Sequence, residues 1–429
     1  MLMLIPFSFI AGTFRSLTLP KIVKRQNFAS LQIQILVSIC CVWLCSSTLA
    51  LAAKQKPKAN ETFFNPLEIT KPDPLLPQFN QTLTPAQQLK LKAALDGLNQ
   101  QAAAALAAGD NIGAFAIWNR ELRLRRALGF QEEVEALGRV GAIAWRENQP
   151  KEVQVITQRL LKIYNHIQSQ PTADLKLLNS LGFAFQQVRE PRSASAAYER
   201  ILAKTRQQKD VAATQATLRT LGELHLSWFD YTKAAANYQE LLSFATTNGD
   251  RLATITYLQQ LDYIYEKTKQ YQQAIAAKQR LLGIYQNDPQ LSLSLPTLRL
   301  AIAKDYQALG QLQAAFDNYQ QAYTSAWSLQ QYVLAGDALR QLISLYRAQG
   351  QIDAALQTSQ ILLEAEQRAG NIYGMMTTYD QIGQLHLKLA NYSEALAAFQ
   401  KGLELAQQLK YQETYFAGQI QQINQRLSK

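Results

Sequence analysis

A pattern of small and aromatic residues returns along this chain every 39 to 41 residues. Its clearest copies are Leu181-Gly182-x-x-Phe185 followed by Ala194-x-x-x-Tyr198, and Leu221-Gly222-x-x-His225 followed by Ala234-x-x-x-Tyr238. Repetition at this length is typical of an array in which each supersecondary unit buries its apolar face against its neighbours. The sequence therefore predicts a solenoid built from repeated units.

Two columns of the pattern fix the register. The first, here called the glycine column, contains Ala102, Gly141, Gly182, Gly222, Asp262, Ala303, Ile343 and Gly383. The second, here called the alanine column, contains Ala114, Val153, Ala194, Ala234, Ala274, Ala315, Ala355 and Ala395. Alanine fills seven of the eight positions of the second column, which chance would not produce, so eight units are predicted.

Aromatic residues complete most units. Three residues after the glycine column stand Phe185, Tyr265, Tyr306 and Tyr346, and four residues after the alanine column stand Trp118, Tyr198, Tyr238, Tyr319 and Phe399. The spacing predicts two helices per unit, with a small residue on the first where the second crosses closely. A large ring against a small contact lets two helices approach and still fill the space between them.

The pattern L-G-x-x-Y followed by A-x-x-x-F resembles the tetratricopeptide repeat over roughly residues 95–409. The resemblance implies an all-α superhelix, or solenoid, of about eight helical hairpins. Its period of about 40 residues exceeds the usual 34, so each unit carries about six extra residues. HEAT and armadillo arrays share the longer period, but they do not predict this spacing of glycine, aromatic and alanine columns.

Helix-breaking residues fall where this architecture needs turns. Gly109, Gly310 and Gly350 stand seven residues after the glycine column, and Pro150 and Pro191 stand nine after it. Pro171 and Pro289 lie between units, and Pro296 is placed to open a helix. Residues 86–429 show no alternating strand pattern and are predicted to be the helical repeat domain, closed by a capping helix over 411–427.

The N-terminal 53 residues have the composition of a targeting segment. Residues 1–60 contain no Asp or Glu, and four basic residues precede an apolar centre of about eleven residues, 35–45. Ala50-Leu51-Ala52 offers a small-x-small cleavage site. Either a cleaved signal peptide or a retained membrane anchor over 31–53 fits, with an organellar transit sequence as a further alternative. The first two place the repeats on the non-cytoplasmic side, either periplasmic or thylakoid-lumenal.

Residues 54–85 hold six of the thirteen prolines and are predicted to be an extended linker between the targeting segment and the array. Thr84-Pro85 ends the linker, because Thr is a favoured N-cap and Pro fits the first helical turn. A long helix is therefore expected to begin at 85 and run through the alanine-rich stretch 102–108.

No constellation of catalytic or metal-binding residues is evident. His225 and His386 occupy the first aromatic column and are interpreted as packing residues, and all three cysteines lie within residues 40–45. No phosphate-binding loop or nucleophile motif occurs. Net charge is +11, or about +7 without the first 53 residues, and the only dense basic cluster is Arg120 to Arg126. We interpret it as a solvated helix face, and Glu132-Glu133 likewise as surface residues. No enzyme activity, cofactor, metal or nucleic acid is expected.

The groove of such an array is lined mainly by the first helix of each unit. Its exposed positions lie three before, one after and four after the glycine column. We call the following residues the groove set: Asn179, Phe183, Gln186, Arg219, Glu223, Tyr263, Glu266, Lys304, Gln307, Arg340 and Arg347. The resemblance implies a non-catalytic scaffold or assembly factor, exported or membrane-anchored, that binds a partner protein or peptide there. The alternative is a peptide or small-molecule sensor.

Overall fold

The computed structural model describes residues 65–76, 83–168 and 174–428. Regular structure within these ranges is helical, without a β-strand, and the predicted targeting segment lies outside them. The helices are α1 (Pro85–Ala107), α2 (Asn111–Arg125), α3 (Phe130–Arg146), α4 (Pro150–Gln168), α5 (Leu175–Gln187), α6 (Pro191–Gln207), α7 (Val211–Ser227), α8 (Tyr231–Thr247), α9 (Arg251–Lys267), α10 (Tyr271–Gln286), α11 (Leu295–Ala308), α12 (Leu312–Ser328), α13 (Tyr332–Ala348), α14 (Ile352–Arg368), α15 (Ile372–Lys388), α16 (Tyr392–Leu409) and α17 (Glu413–Leu427).

The first sixteen helices form eight hairpins, numbered 1 to 8 along the chain, and α17 follows alone. The two helices of each hairpin pack on one another, and each second helix generally packs on the first helix of the next hairpin. Between hairpins 2 and 3 the main contact is instead made by two first helices, α3 and α5. The predicted all-α superhelix of eight hairpins is confirmed.

The glycine column makes the close helix contact that its spacing predicted. A Cβ atom placed on Gly182 would lie 2.7 Å from the Tyr198 ring, and one on Gly383 would lie 2.7 Å from the Phe399 ring. The rings stand sixteen residues after the glycine column, in a set here called the ring column: Trp118, Thr157, Tyr198, Tyr238, Lys278, Tyr319, Ser359 and Phe399. A ring of the second helix therefore covers the bare backbone of the first helix.

The alanine column lies in the same contact. All seven of its alanines are completely buried, and Val153 of hairpin 2 is half-buried. A larger side chain at these positions would need space that a closely packed interior does not have.

The turn inside every hairpin has one residue in the left-handed region, seven positions after the glycine column. Gly109, Gly310 and Gly350 were predicted to form turns, and their φ angles are +86°, +72° and +72°. The other five hairpins adopt the same conformation without glycine, at Asn148, Arg189, Phe229, Lys269 and Ala390. The helix-ending hydrogen bonds are made in all eight cases, for example from Asp110 N to Ala105 O at 2.9 Å.

Helix starts also follow the sequence. Thr84 accepts a hydrogen bond from the backbone N–H of Gln87, whose side chain accepts one from Thr84 N, so a capping box opens α1. Pro150 and Pro191 are the first residues of α4 and α6, and Pro296 is the second residue of α11. Pro171 lies outside the described residues.

The predicted capping helix is present as α17, which begins at Glu413 rather than Tyr411. Phe416 and Ile423 are buried on the last hairpin, and a Cβ atom on Gly402 of α16 would lie 2.2 Å from the Phe416 ring. Helix α17 therefore repeats the ring-on-glycine contact and covers the last apolar face of the array.

Part of the predicted linker packs on the array. Residues 66–68 form a 3₁₀-helix whose Leu67 is buried in the core. Asp73 accepts two hydrogen bonds from Arg120 of α2, at 2.7 and 3.0 Å. Arg123 donates to the Pro66 carbonyl at 2.8 Å. The segment 66–76 is thus held against hairpin 1. The boundary between linker and repeat domain at residue 85 stays a prediction.

The apolar core is continuous from Leu67 to Tyr285 and resumes as a second cluster from Leu300 to Leu385. The interruption falls between hairpins 5 and 6, where the connection 287–294 contains Pro289 and a 3₁₀-helix. Among the described residues, none of the helices combines the length and apolarity needed to span a membrane.

We expect Gly182→Ala to destabilise the protein by about 1–3 kcal/mol, because the added methyl group displaces the buried Tyr198 ring. Gly97→Ala in α1 is the matched control. No atom outside the adjoining backbone lies within 4 Å of the Cβ position there. It should therefore stabilise the protein by about 0.5–1 kcal/mol through helix propensity. Urea unfolding measures both variants, and a Gly182→Ala protein as stable as wild type would contradict the packing argument.

Candidate partner-binding groove

The residues of the groove set are either exposed or half-buried. Eight of its members are exposed: Asn179, Phe183, Arg219, Glu223, Tyr263, Glu266, Lys304 and Arg347. Gln186, Gln307 and Arg340 are half-buried. The three half-buried residues all make polar contacts with a second helix, so they belong partly to the fold.

The two glutamines satisfy tyrosines of the ring column. Gln186 donates from its amide nitrogen to the Tyr198 hydroxyl oxygen at 3.0 Å. Tyr319 donates its hydroxyl proton to the Gln307 amide oxygen at 2.8 Å. In both hairpins the glutamine is four residues after the glycine column, so one repeat position supplies the partner for the buried hydroxyl.

Arg340 is held by two carboxylates of the array. It forms ion pairs with Glu366, a buried residue of α14, and with Asp337 at 2.6 Å. Glu366 also accepts a hydrogen bond from the Asn371 side chain at 2.6 Å. Arg347, seven residues later, is exposed and forms no ion pair with the described residues. Arg347 is therefore the more available cation for a partner.

Hairpin 5 replaces the ring-on-glycine contact with an ion cluster. Asp262 takes the glycine position and Lys278 the ring position, with Lys278 Nζ 2.6 Å from Asp262 Oδ1. Lys278 also pairs with Glu266 of the groove set and, at 2.7 Å, with Asp305 of hairpin 6. Lys278 is only 3% exposed. The cluster therefore joins hairpins 5 and 6 at the point where the apolar core is interrupted.

One carboxyl of this cluster binds its proton more strongly than usual. Burial raises the pKa of Asp305 to about 6, and its hydrogen bond to Glu266 adds to the rise while Lys278 opposes it. Burial alone would raise the pKa of Glu266 as well, but hydrogen bonds from Lys278 and Asp305 hold it below its usual value. Burial would lower the pKa of Lys278, yet its three carboxylate partners raise it. Of the two carboxyl groups, Asp305 is therefore the one that takes up a proton first as pH falls.

We expect Asp305 to make the stability of the protein depend on pH. Its pKa in the fold lies above the ordinary 3.8, so its contribution is complete below 3.8 and is lost as pH rises through about 6. As pH rises from about 4 to 7, the free energy of unfolding of wild type should therefore fall relative to that of Asp305→Asn. Urea unfolding across this range measures it, and a difference that stays constant or moves the other way would contradict the assignment.

The early part of the groove presents aromatic rings. Phe183 of α5 is 58% exposed and Tyr263 of α9 is 48% exposed. Lys267 Nζ lies 5.3 Å from the centre of the Tyr263 ring. Both rings stand one residue after the glycine column, so they follow the same line along the array.

A recess of about 270 Å³ lies where α7 of hairpin 4 faces α9 of hairpin 5. The predicted residues Arg219 and Glu223 line it from α7, together with Tyr238 of α8 and Ala253, Thr256, Tyr257 and Gln260 of α9. Arg219 Nη2 is 3.5 Å from the Tyr257 hydroxyl. Sequence reasoning missed Tyr257, which lies five residues before the glycine column and was not among the positions considered for the groove.

The basic cluster is not a solvated face, contrary to the sequence interpretation. Arg125 is buried and its guanidinium is 2.9 Å from Glu121 and 2.6 Å from Asp96. Arg126 pairs with Glu133 at 3.1 Å, and Glu133 is itself buried rather than at the surface as predicted. Partners 4 to 29 residues away in sequence neutralise these charges, and the more distant ones are brought near only by the tertiary fold.

The histidines occupy packing positions. His225 is buried and its Nε2 lies 3.5 Å from Ser195 Oγ, and burial lowers its pKa, which favours the neutral ring. His166 packs edge-to-face on Phe130 at 5.4 Å. In the part of the chain that the structure describes, no group of three or more His, Cys, Asp or Glu is arranged to hold a metal ion.

Residues 377–409, which span most of hairpin 8, match the sequence model of the family described as Tetratricopeptide repeat. No curated protein sequence matches the chain. Among solved structures, BtubC (BKLC) from P. vanneervenii is similar at 17% identity over 51% of this chain and 92% of its own, with a TM-score of 0.34. Aspartyl phosphate phosphatase F from Bacillus subtilis is similar at 16% identity over 70% and 84%, with a TM-score of 0.36.

The repeat pattern extends beyond the matched residues. Hairpin 8 matches the family in sequence, and it shares its glycine, alanine and ring columns with the hairpins before it. The left-handed turn position is common to all eight hairpins. Hairpin 8 thus matches the tetratricopeptide repeat family, and the eight hairpins share one tetratricopeptide-like architecture with a long period of about 40 residues.

Proposed function

We propose that this protein is a non-catalytic interaction scaffold or assembly factor, which binds an extended segment of a partner protein along the first-helix groove. The observation that supports this most directly is the line of Phe183, the recess beside Arg219, and Tyr263 across hairpins 3 to 5. Exposed aromatic rings beside an arginine are the residue types enriched where partner proteins bind most tightly. An extended segment is the shape that fits a row of equivalent positions on successive hairpins.

The distribution of unpaired charge favours the groove, rather than the outer face formed by the second helices, as the partner-binding surface. The dense basic cluster on α2 is neutralised by carboxylates of the array and by the segment 66–76. Arg219, Lys304 and Arg347 of the groove set form no ion pair with the described residues. Unpaired cations and exposed rings therefore lie together on the face of the first helices, where a partner with acidic and apolar side chains would gain most.

A sensor of a peptide or a small molecule is the alternative function. The recess of about 270 Å³ supports it, because a small ligand could enter where α7 faces α9. A scaffold should bind a protein through several hairpins, whereas a sensor should bind its ligand through the recess alone.

We expect Phe183→Ala and Tyr263→Ala each to weaken partner binding about tenfold, since the loss of an aromatic anchor costs about 1–2 kcal/mol. The full-length protein captures its partner from native membranes, mass spectrometry identifies it, and titration of the purified partner measures affinity. Ile361→Ala, at an exposed position of second helix α14, is the matched control. If Ile361→Ala abolished binding and both groove variants bound normally, the partner would occupy the outer face and the proposal would fail.

The proposed location is outside the cytoplasm, with release after Ala52 or retention through residues 31–53. The acid-free, basic N-terminus before an apolar centre supports it. If residues 31–53 are retained as an anchor, the docked segment 66–76 would fix the point at which the tether reaches hairpin 1.

We expect a phosphatase reporter fused after Pro85 to be active, because the reporter folds only outside the cytoplasm. N-terminal sequencing of the mature protein should then begin at residue 53 after release or retain the first residues of an anchor. A catalytically sound reporter that stayed inactive in this fusion, yet was active behind a known signal peptide, would reject export.

A further inference from the structure

The ring column shows which polar groups the array satisfies internally. In hairpins 1 to 3 and 5 to 7 every polar side chain at this position has a hydrogen-bond or ion-pair partner inside the array. The pairs are, in chain order, Trp118 with Asn99, Thr157 with the Val153 carbonyl, Tyr198 with Gln186, Lys278 with three carboxylates, Tyr319 with Gln307, and Ser359 with the Ala355 carbonyl. Hairpin 8 has Phe399, which needs none. Tyr238 of hairpin 4 is the exception among the described residues.

The reason for this exception is visible in the sequence. In hairpins 3 and 6 the partner is a glutamine four residues after the glycine column, and in hairpin 4 that position holds Leu226. Tyr238 is 4% exposed, and its hydroxyl makes no hydrogen bond to a described residue. The ring of Tyr238 is therefore buried while its hydroxyl stays free to hydrogen-bond a ligand in place of water.

The unpartnered hydroxyl faces the recess between α7 and α9, which Tyr238 lines. Two charged residues of opposite sign share the recess, Arg219 and Glu223, and neither forms an ion pair within the described chain. Burial, together with Glu223 and Tyr257, raises the pKa of Tyr238 to about 12, so the hydroxyl keeps its proton and can donate. The recess thus offers hydroxyl and guanidinium donors on one side and a carboxylate acceptor on the other.

These groups select a neutral ligand that both accepts and donates. A carboxylate would be attracted by Arg219 but repelled by Glu223. An ammonium group would be attracted by Glu223 but repelled by Arg219. An apolar side chain would remove water from both charges without replacing their hydrogen bonds. A primary amide satisfies the whole set, because its oxygen accepts from Tyr238 or Arg219 while its NH₂ group donates to Glu223.

We propose that the recess of hairpin 4 binds the side-chain amide of a glutamine or asparagine in the partner segment, in the role that Gln186 and Gln307 play inside hairpins 3 and 6. This inference rests on the proposed groove function and names the chemistry of one position of its partner. The array itself uses a glutamine amide to satisfy this hydroxyl twice, so a partner's amide would complete the same contact between molecules.

The test uses Leu226→Gln, which restores the internal glutamine of the other hairpins and should close the recess to a ligand. The full-length protein is incubated with immobilised acetylated and amidated heptapeptides whose central residue is Gln, Asn, Glu, Lys or Leu and whose other positions are randomised. Wild type should retain the Gln and Asn peptides at least tenfold better than the others. Leu226→Gln should lose this preference, and its thermal unfolding shows whether it is folded.

Tyr238→Phe is the second variant, because it removes only the hydroxyl and keeps the ring on Gly222. It should lower retention of the Gln peptides about tenfold and leave the weak retention of Leu peptides unchanged. A wild-type preference for Glu or Lys at the centre would overturn the amide assignment. Equal retention of Gln peptides by wild type and by both folded variants would also overturn it.

The outcome separates this inference from the proposed function. If Phe183→Ala and Tyr263→Ala weaken binding of the protein partner while Leu226→Gln and Tyr238→Phe leave it unchanged, the groove scaffold stands and the amide site is rejected. If the amide preference is found but the Phe183 and Tyr263 variants bind the protein partner normally, the amide site stands and the extended groove is rejected.

Discussion

The array depends on the contact between a bare stretch of the first helix and a ring of the second. At Gly182 and Gly383 the missing Cβ atom leaves room that only the Tyr198 and Phe399 rings fill. The alanines of the second column are completely buried on the second helix, which leaves no bulky side chain to separate the two helices. Because both columns recur about every 40 residues, the same interhelical approach is repeated in successive hairpins and fixes which side of each first helix remains free.

Where this contact is lost, charge takes its place. In hairpin 5 a ring on glycine is replaced by Lys278 on Asp262, and Asp305 joins the cluster from hairpin 6. Buried ion pairs gain little net free energy over apolar packing, but they are costly to separate because each charge would be left without a partner. The interface between these hairpins therefore combines apolar contacts, such as those of Leu295 and Leu298, with an ion cluster that depends on protonation and on exact pairing.

Most of the fold follows from local sequence, because its determinants recur at fixed spacing. The hairpin register, the glycine turns and the Thr84 cap were all predictable. The left-handed turns at Phe229 and Lys269 were not, since nothing in these residues favours that conformation and the packing of two helices imposes it. The burial of Arg125 was missed for a related reason: Asp96 is 29 residues away and reaches it only through the tertiary fold.

The candidate site was predictable in position but not in chemistry. Spacing alone placed Phe183, Arg219 and Tyr263 on an exposed helix face, and the structure leaves them exposed. Spacing could not show that the Gln186 amide is hydrogen-bonded to the Tyr198 hydroxyl, because that requires knowing which side chains of the two helices meet. The comparison of equivalent columns would have revealed it, since glutamine stands at the same position in hairpins 3 and 6.

A repeat array makes such differences informative about function. Each hairpin presents its ring column to a similar local environment, so a substitution that removes an internal partner leaves the polar group pointing in a known direction. Ser359 in hairpin 7 shows the neutral outcome, because its hydroxyl bonds to its own helix at 2.8 Å and leaves nothing unsatisfied. Leu226 shows the other outcome, since it leaves the hydroxyl of Tyr238 without an internal partner beside the recess. Functional positions in this chain are therefore best sought where one hairpin departs from the hydrogen-bonding pattern of the others.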